Sequence, residues 1–176
     1  SYLPQLNKFD SHEVTPDRSV DFAKAVDLDN DGDQDLVGAL ASSDMIWWYI
    51  NNGKGEFTPG RPFFALQGIN AIHCADLDGD KDQDLLIAGK ETLVSFENTR
   101  NGFSGPLLIS KKMFHTYSAN SLNTADVDGD GDLDILTALW TENSVSWYEN
   151  NGNGVVWVEH KISDRALGAS AVQAAD

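Results

Sequence analysis

The sequence predicts an all-β chain built from repeated four-stranded antiparallel sheets, and three observations carry that prediction. An acidic loop of fixed pattern occurs three times, short apolar runs of strand character flank each copy, and helical periodicity is absent throughout. The loops read Asp27-Leu-Asp29-Asn-Asp31-Gly32-Asp33-Gln-Asp35, Asp76-Leu-Asp78-Gly-Asp80-Lys81-Asp82-Gln-Asp84 and Asp126-Val-Asp128-Gly-Asp130-Gly131-Asp132-Leu-Asp134, with their first aspartates 49 and 50 residues apart.

Each unit follows one order. Small and apolar residues lead into the loop at 22–26, 72–75 and 122–125, and a buried-strand signature follows it at 36–40, 85–88 and 135–139. A third strand is expected at 45–50, 93–97 and 145–149. It ends in Asn/Gly-rich clusters at 51–55, 98–102 and 150–154, whose residues tolerate the positive φ of hairpin turns. A fourth strand closes the unit, as at 155–162. Four short antiparallel strands in roughly 50 residues describe one blade of a β-propeller. A stack of separate hairpins is the plain alternative, but lone hairpins are marginal in water.

The repeat also assigns the ends. Residues 9–14 match 157–162, which makes 1–17 the last strand of a preceding blade. Whole blades are then expected at 18–66, 67–116 and 117–165. Residues 166–176 match a strand leading into an acidic loop, with Asp176 in the place of a first ligand. Three complete blades with fragments at both sides form part of a ring, since a propeller closes with ~4–8 blades. The reading favours excision from a longer protein. Otherwise a further chain must cover the open strand edges.

Carboxylates at loop positions 1, 3, 5 and 9 converge only if the backbone curls tightly around one point. Two of them ~4 Å apart repel by about 4 kcal/mol at an effective dielectric of 20, so a cluster of four calls for a hard cation. Oxygen-only ligands suit calcium. An EF-hand is excluded, because it needs a bidentate Glu at position 12 between two helices; here position 12 is Gly38, Ile87 or Thr137 and both flanks are strand-like. Simple acidic surface turns would account for one such loop, but not for three in register. Position 6 is Gly32 and Gly131 in two loops and Lys81 in the other. A side chain where the turn wants positive φ costs roughly 1–2 kcal/mol, so the second site is expected to be the weakest.

The segments starting at Ala25, Ala75 and Ala125 resemble FG-GAP (VCBS-type) repeats, the calcium-binding blades of integrin α-subunit propellers and of many secreted bacterial proteins. The resemblance covers nearly the whole chain. It implies a usually seven-bladed β-propeller with calcium between the first and second strands of a blade, hence three calcium ions here. By the family pattern Asp27, Asp29, Asp31 and Asp35 donate side-chain oxygens and Asp33 its carbonyl. Asp76, Asp78, Asp80 and Asp84 with the Asp82 carbonyl repeat the set, as do Asp126, Asp128, Asp130 and Asp134 with the Asp132 carbonyl.

Composition narrows the function. The net charge of −16 has a local origin, since the three loops hold 15 of the 28 acidic residues while Lys and Arg number 12. No basic stripe exists to neutralise phosphates, which excludes nucleic acid as a partner. No apolar run approaches the ~20 residues that span a bilayer. The opening Ser1-Tyr-Leu-Pro-Gln5 does not read as a signal peptide; a leader already removed or a cut from a longer chain would account for that. Cys74, alone in the chain, excludes an intrachain disulfide and reads as a core thiol. Of the four histidines His12, His73, His115 and His160, the first and last are repeat equivalents and read as framework. No nucleophile elbow, zinc-protease helix or phosphate loop is present.

Trp48, Trp147, Tyr49, Tyr148 and Phe96 fall at matching positions and read as packing between blades. Trp140, in the connection between strands two and three, and Trp47 each read as either a ligand contact or a ring folded over the blade. The expected function is a non-catalytic, calcium-stabilised recognition or adhesion module, extracellular or at the cell surface, with a protein or glycan ligand. The alternatives are a scaffold or carbohydrate-binding part of a larger secreted polysaccharide-active enzyme, and a lectin. Extracellular calcium modules bind at ~10⁻⁴–10⁻³ M, which keeps such sites filled outside a cell.

Overall fold

The computed structural model describes residues 20–99, 102–111 and 119–175. The expected last strand within 1–17, His12, His115 and Asp176 lie outside the described residues. Among the described residues there are thirteen strands and no helix.

The strands form three antiparallel sheets in simple up-and-down order. The first comprises β1 (Phe22–Val26), β2 (Asp35–Leu40), β3 (Met45–Asn51), β4 (Phe57–Pro59) and the short β5 (Phe63–Phe64). The second comprises β6 (Ala71–Ala75), β7 (Asp84–Ala88), β8 (Thr92–Thr99) and β9 (Gly102–Lys111). The third comprises β10 (Ala119–Ala125), β11 (Asp134–Leu139), β12 (Ser144–Asn150) and β13 (Trp157–Ser163). These are the four-stranded blades that the repeat pattern called for. In each, an acidic loop joins the first two strands at the same end as the Asn/Gly turn after the third. The connection between strands two and three lies at the opposite end.

One detail departs from the four-strand recipe. The outer strand of the first sheet is split, because β4 and β5 both pair with β3. The break falls at Gly60-Arg61-Pro62. Pro62 has no N–H to offer a ladder, and a Cβ on Gly60 would overlap the Trp48 indole. Residues 166–175, expected as an incoming strand, form no ladder. Val172 N–H bonds Ser121 Oγ at 3.3 Å beside β10, but no described segment offers the second strand such an element pairs with.

The sheets stack face to face, and the inner strands adjoin in turn, β1 beside β6 and β6 beside β10. His73 Nε2 lies 3.2 Å from Thr124 Oγ1 across the second of these seams. Strand residues alternate sides with a period of two, so β7 serves two cores at once. Leu85 and Ile87 join Val37, Ala39, Ile46 and Phe96 between the first and second sheets. Leu86 and Ala88 join Leu122, Ile135, Leu139 and Tyr148 between the second and third. Trp48 closes the outer end of the first core, 5.8 Å from Phe63 and 5.7 Å from Phe103 between ring centroids. Tyr49, Tyr148 and Phe96 are buried as expected, and so is Trp47. Cys74 packs against the first core, and burial pushes its thiol up to about 12.

Leu86 and Ile87 are both fully buried and face opposite cores. Leu86→Ala and Ile87→Ala are each expected to cost about 2–5 kcal/mol in urea unfolding. A one-sided sheet would show a large loss for only one of the two.

Candidate metal centres

Each acidic loop is anchored by its ninth residue. Asp35, Asp84 and Asp134 open the second strand of their sheets and are buried. Their carboxylates accept two backbone N–H groups each. Oδ2 takes the amide of loop position 2, at 2.8 Å from Leu28, 3.0 Å from Leu77 and 2.8 Å from Val127. Oδ1 takes the amide that ends the third strand, at 2.7 Å from Asn51, 2.9 Å from Asn98 and 2.8 Å from Asn150. One side chain thus ties the start of the loop to the end of β3, β8 or β12.

The other aspartates curl the loop by accepting local amides. Asp27 Oδ2 accepts from Gly32 at 3.0 Å, Asp76 Oδ2 from Lys81 at 3.0 Å and Asp126 Oδ2 from Gly131 at 3.1 Å. Asp78 and Asp128 accept from Asp80 and Asp130, both at 3.1 Å. Asp31, Asp80 and Asp130 accept from the position-7 amides of Asp33, Asp82 and Asp132 at 2.9, 2.8 and 3.0 Å. The position-7 side chains point away from these turns. Asp132 Oδ2 would stand 2.9 Å from a Cβ on Gly152, and Asp82 Oδ1 accepts a hydrogen bond from Asn30 Nδ2 of the preceding sheet.

Three carboxylates are gathered in each loop: Asp27, Asp29 and Asp35; Asp76, Asp78 and Asp84; Asp126, Asp128 and Asp134. One oxygen from each residue lies within 4.8 Å of the other two. Oxygens on opposite sides of a calcium ion bonded at about 2.4 Å would be about 4.8 Å apart, so this spacing suits a shared ion. Asp31, Asp80 and Asp130 do not belong to these tight groups. Asp27 Oδ1 is buried and has no hydrogen-bond partner; such an acceptor, on a residue of an all-oxygen cluster, keeps its lone pairs free for a cation. The donor set therefore fits a hard divalent cation.

Electrostatics agree. Asp84 is pushed up to about 6, first by its burial and then by the charges of Asp78 and Asp80, against the lowering pull of the Asn98 and Leu77 amides. Asp29, Asp78 and Asp128 move in the same direction, each through lost hydration first and neighbouring carboxylates besides. Groups that resist ionisation for want of a counter-charge are those a cation relieves.

Two positions in each loop have positive φ. Position 4 is Asn30, Gly79 or Gly129, at 60°, 81° and 84°; position 6 is Gly32, Lys81 or Gly131, at 93°, 78° and 100°. Lys81 thus occupies the left-handed region with a full side chain, as its place in the repeat predicts. Its N–H still reaches Asp76, so the loop keeps its shape and carries the strain.

Two residues that bridge the loops escaped the sequence reading. Asn98 and Asn150 read there only as turn formers, yet their side chains cross between sheets. Asn98 Nδ2 donates to Leu28 O at 2.8 Å, and Asn150 Nδ2 to Leu77 O at 2.7 Å. The available signal was an Asn at the same place in every repeat, at 51, 98 and 150. Elsewhere, His160 is framework: its ring stacks on Trp147 with centroids 4.4 Å apart, and Nε2 lies 2.7 Å from Glu149 Oε2. Trp140 is at the end opposite the acidic loops, 51% exposed, with its ring lying against Gly168.

The profile of the FG-GAP-like repeat matches residues 27–87, 76–137 and 126–176. No curated protein sequence matches the chain. Among solved structures, one similar chain is an Agrocybe aegerita lectin that specifically recognises non-reducing terminal N-acetylglucosamine. It is 22% identical over 82% of this chain and 38% of its own, with a TM-score of 0.58. Another is BBS1N in complex with ARL6DN, 12% identical over 85% of this chain and 44% of its own, with a TM-score of 0.57. The chain spans about two-fifths of the length of these structures, and at such identities the likeness concerns the fold.

Lys81→Gly is expected to stabilise the protein by about 1 kcal/mol, the roughly 1–2 kcal/mol of relieved strain less the chain entropy a glycine adds. Gly131→Lys is expected to lose a similar amount, both read by thermal unfolding. Unchanged midpoints in both variants would show that position 6 carries no strain.

Proposed function

The chain belongs to the FG-GAP-like repeat family, and on that premise we propose that it is a calcium-stabilised propeller module for recognition or adhesion outside the cytoplasm. The observation that carries this reading is the threefold gathering of carboxylates within 4.8 Å, with Asp27 Oδ1 buried and unpartnered. Asp27, Asp29 and Asp35, and their counterparts in the other two loops, would hold the ions. A bound cation supplies the positive charge that lets these crowded groups ionise together; the chain's own residues curl the loops and clamp them to the sheets. The role is structural and non-catalytic. Among the described residues no helix is long and apolar enough to cross a membrane.

A second reading, carbohydrate binding, is favoured by clefts that recur between neighbouring sheets. One of about 690 Å³ lies between Leu28 and Asp29 of the first sheet and Glu97, Asn98 and Thr99 of the second. Another of about 300 Å³ lies between Leu77 and Asp78 of the second and Asn153, Gly154 and Val155 of the third, and Glu97 lines it too. Carboxylate and amide groups on such walls suit the hydroxyls of a sugar, and the similar Agrocybe aegerita structure is that of a lectin.

Metal counting and calorimetry test the first reading. Three calcium ions per chain are expected. At 1 mM calcium and a Kd of ~10⁻⁴ M each site adds about 1.4 kcal/mol, so a chelator lowers the melting temperature by several degrees. Absence of bound calcium together with an unchanged melting temperature would end it. For the second reading, a glycan array in calcium is expected to give signals that Glu97→Gln weakens. A blank array would remove carbohydrate binding and leave the calcium module standing.

A further inference from the structure

We propose that Asn98 and Asn150 are positioning residues that couple the three metal loops, so that occupancy of one loop raises the affinity of its neighbours. The inference rests on the calcium reading above and goes beyond it, from separate sites to a cooperative series.

An unbroken line of hydrogen bonds carries the coupling. Asp35 Oδ2 accepts from the Leu28 amide, and the carbonyl of that same residue accepts from Asn98 Nδ2 in the next sheet. Asn98 N–H donates to Asp84 Oδ1, and Asp84 Oδ2 accepts from the Leu77 amide. Leu77 O accepts from Asn150 Nδ2, whose backbone N–H donates to Asp134 Oδ1; Asp134 Oδ2 accepts from Val127. Each member touches a loop or bridges two. Asp35, Asp84 and Asp134 each belong to one of the carboxylate groups that would hold an ion.

Burial makes the line stiff. Asp35, Asp84, Asp134, Asn98 and Asn150 are all buried, and the Leu28 and Leu77 side chains are packed into the two cores. All of these bonds but the part-buried one from Val127 are shielded from water, and a buried group stripped of its partner carries the full cost of desolvation. A loop forced open by its own carboxylates moves the position-2 peptide, and that peptide is what the asparagine of the following sheet holds. Emptying the second site therefore disturbs Leu77 on one side and Asn98 on the other, in two directions along the line. Coupling between binding sites is reciprocal and typically amounts to ~5–150-fold in affinity.

The bland alternative is that both asparagines merely fasten sheet to sheet. The two differ at a site that is not mutated. Asp78→Asn, which removes a ligand of the second loop but no member of the line, is to be titrated with calcium by calorimetry in the full chain. The first and third sites are expected to weaken about fivefold. In an Asn98→Ala, Asn150→Ala background, adding Asp78→Asn is expected to leave them unchanged. A second measurement keeps the asparagines native: in Asp78→Asn the amides of Leu28 and Val127 exchange hydrogen faster than in the parent chain, while the amide of Gly60, bonded to Trp48 O and off the line, does not. Retention of parental affinities and exchange rates in Asp78→Asn would overturn the coupling while calcium binding stands. Failure of the parent chain to take up calcium would overturn both.

Discussion

A carboxylate held out of water by two backbone amides is the interaction on which this structure depends, and it occurs once in every repeat. Asp35, Asp84 and Asp134 each close the distance between the start of a loop and the end of a third strand. Burying an anion is costly unless it is paired and hydrogen-bonded. At Asp84 the Asn98 and Leu77 amides supply part of that compensation, while Asp78 and Asp80 work against it. The residue that clamps each loop is also a member of the carboxylate group that could hold a cation. Structure and metal binding are two aspects of one electrostatic problem.

The second constraint is that no sheet here completes its own core. β7 is buried on both sides because a sheet stands against each of them. Stability then comes largely from interfaces between successive units, as in other repeat architectures. The position expected to pack between blades does so in the first sheet but not in the third. Trp48 of the first sheet packs onto Phe103 of the second, whereas its equivalent Trp147 stacks on His160 of its own sheet beside a partly exposed apolar row that includes Val158 and Ile162. Across the interfaces the apolar contacts are non-directional, and the two asparagine bonds add direction by fixing which carbonyl meets which amide.

Much was legible before any coordinates. Strand boundaries followed from alternation of apolar residues and from Asn/Gly turns, so β1, β3 and β12 lie within a residue or two of where the pattern put them. Positive φ at Lys81 followed from the glycines at its repeat equivalents. The split of β4 from β5 was not visible, because it depends on the Trp48 indole lying over Gly60, a contact between residues twelve apart. The fates of Trp47 and Trp140 were equally closed to a linear reading. One is buried and the other half exposed, and only the positions of neighbouring segments separate them.

By itself the sequence determined the repeat, the class of fold and the fifteen aspartates of the loops, since those depend on local spacing and on charge crowded within nine residues. It could not rank those aspartates. That Asp35, Asp84 and Asp134 sit buried as clamps, that positions 1, 3 and 9 are the ones drawn together, and that Asn98 and Asn150 reach into the preceding sheet were decided by tertiary structure alone. For the clamps and the asparagine bridges the reason is a partner at least fourteen residues away in the chain, or in another sheet, which no local pattern records; for positions 1, 3 and 9 it is the three-dimensional path of a loop whose aspartates look alike in the sequence.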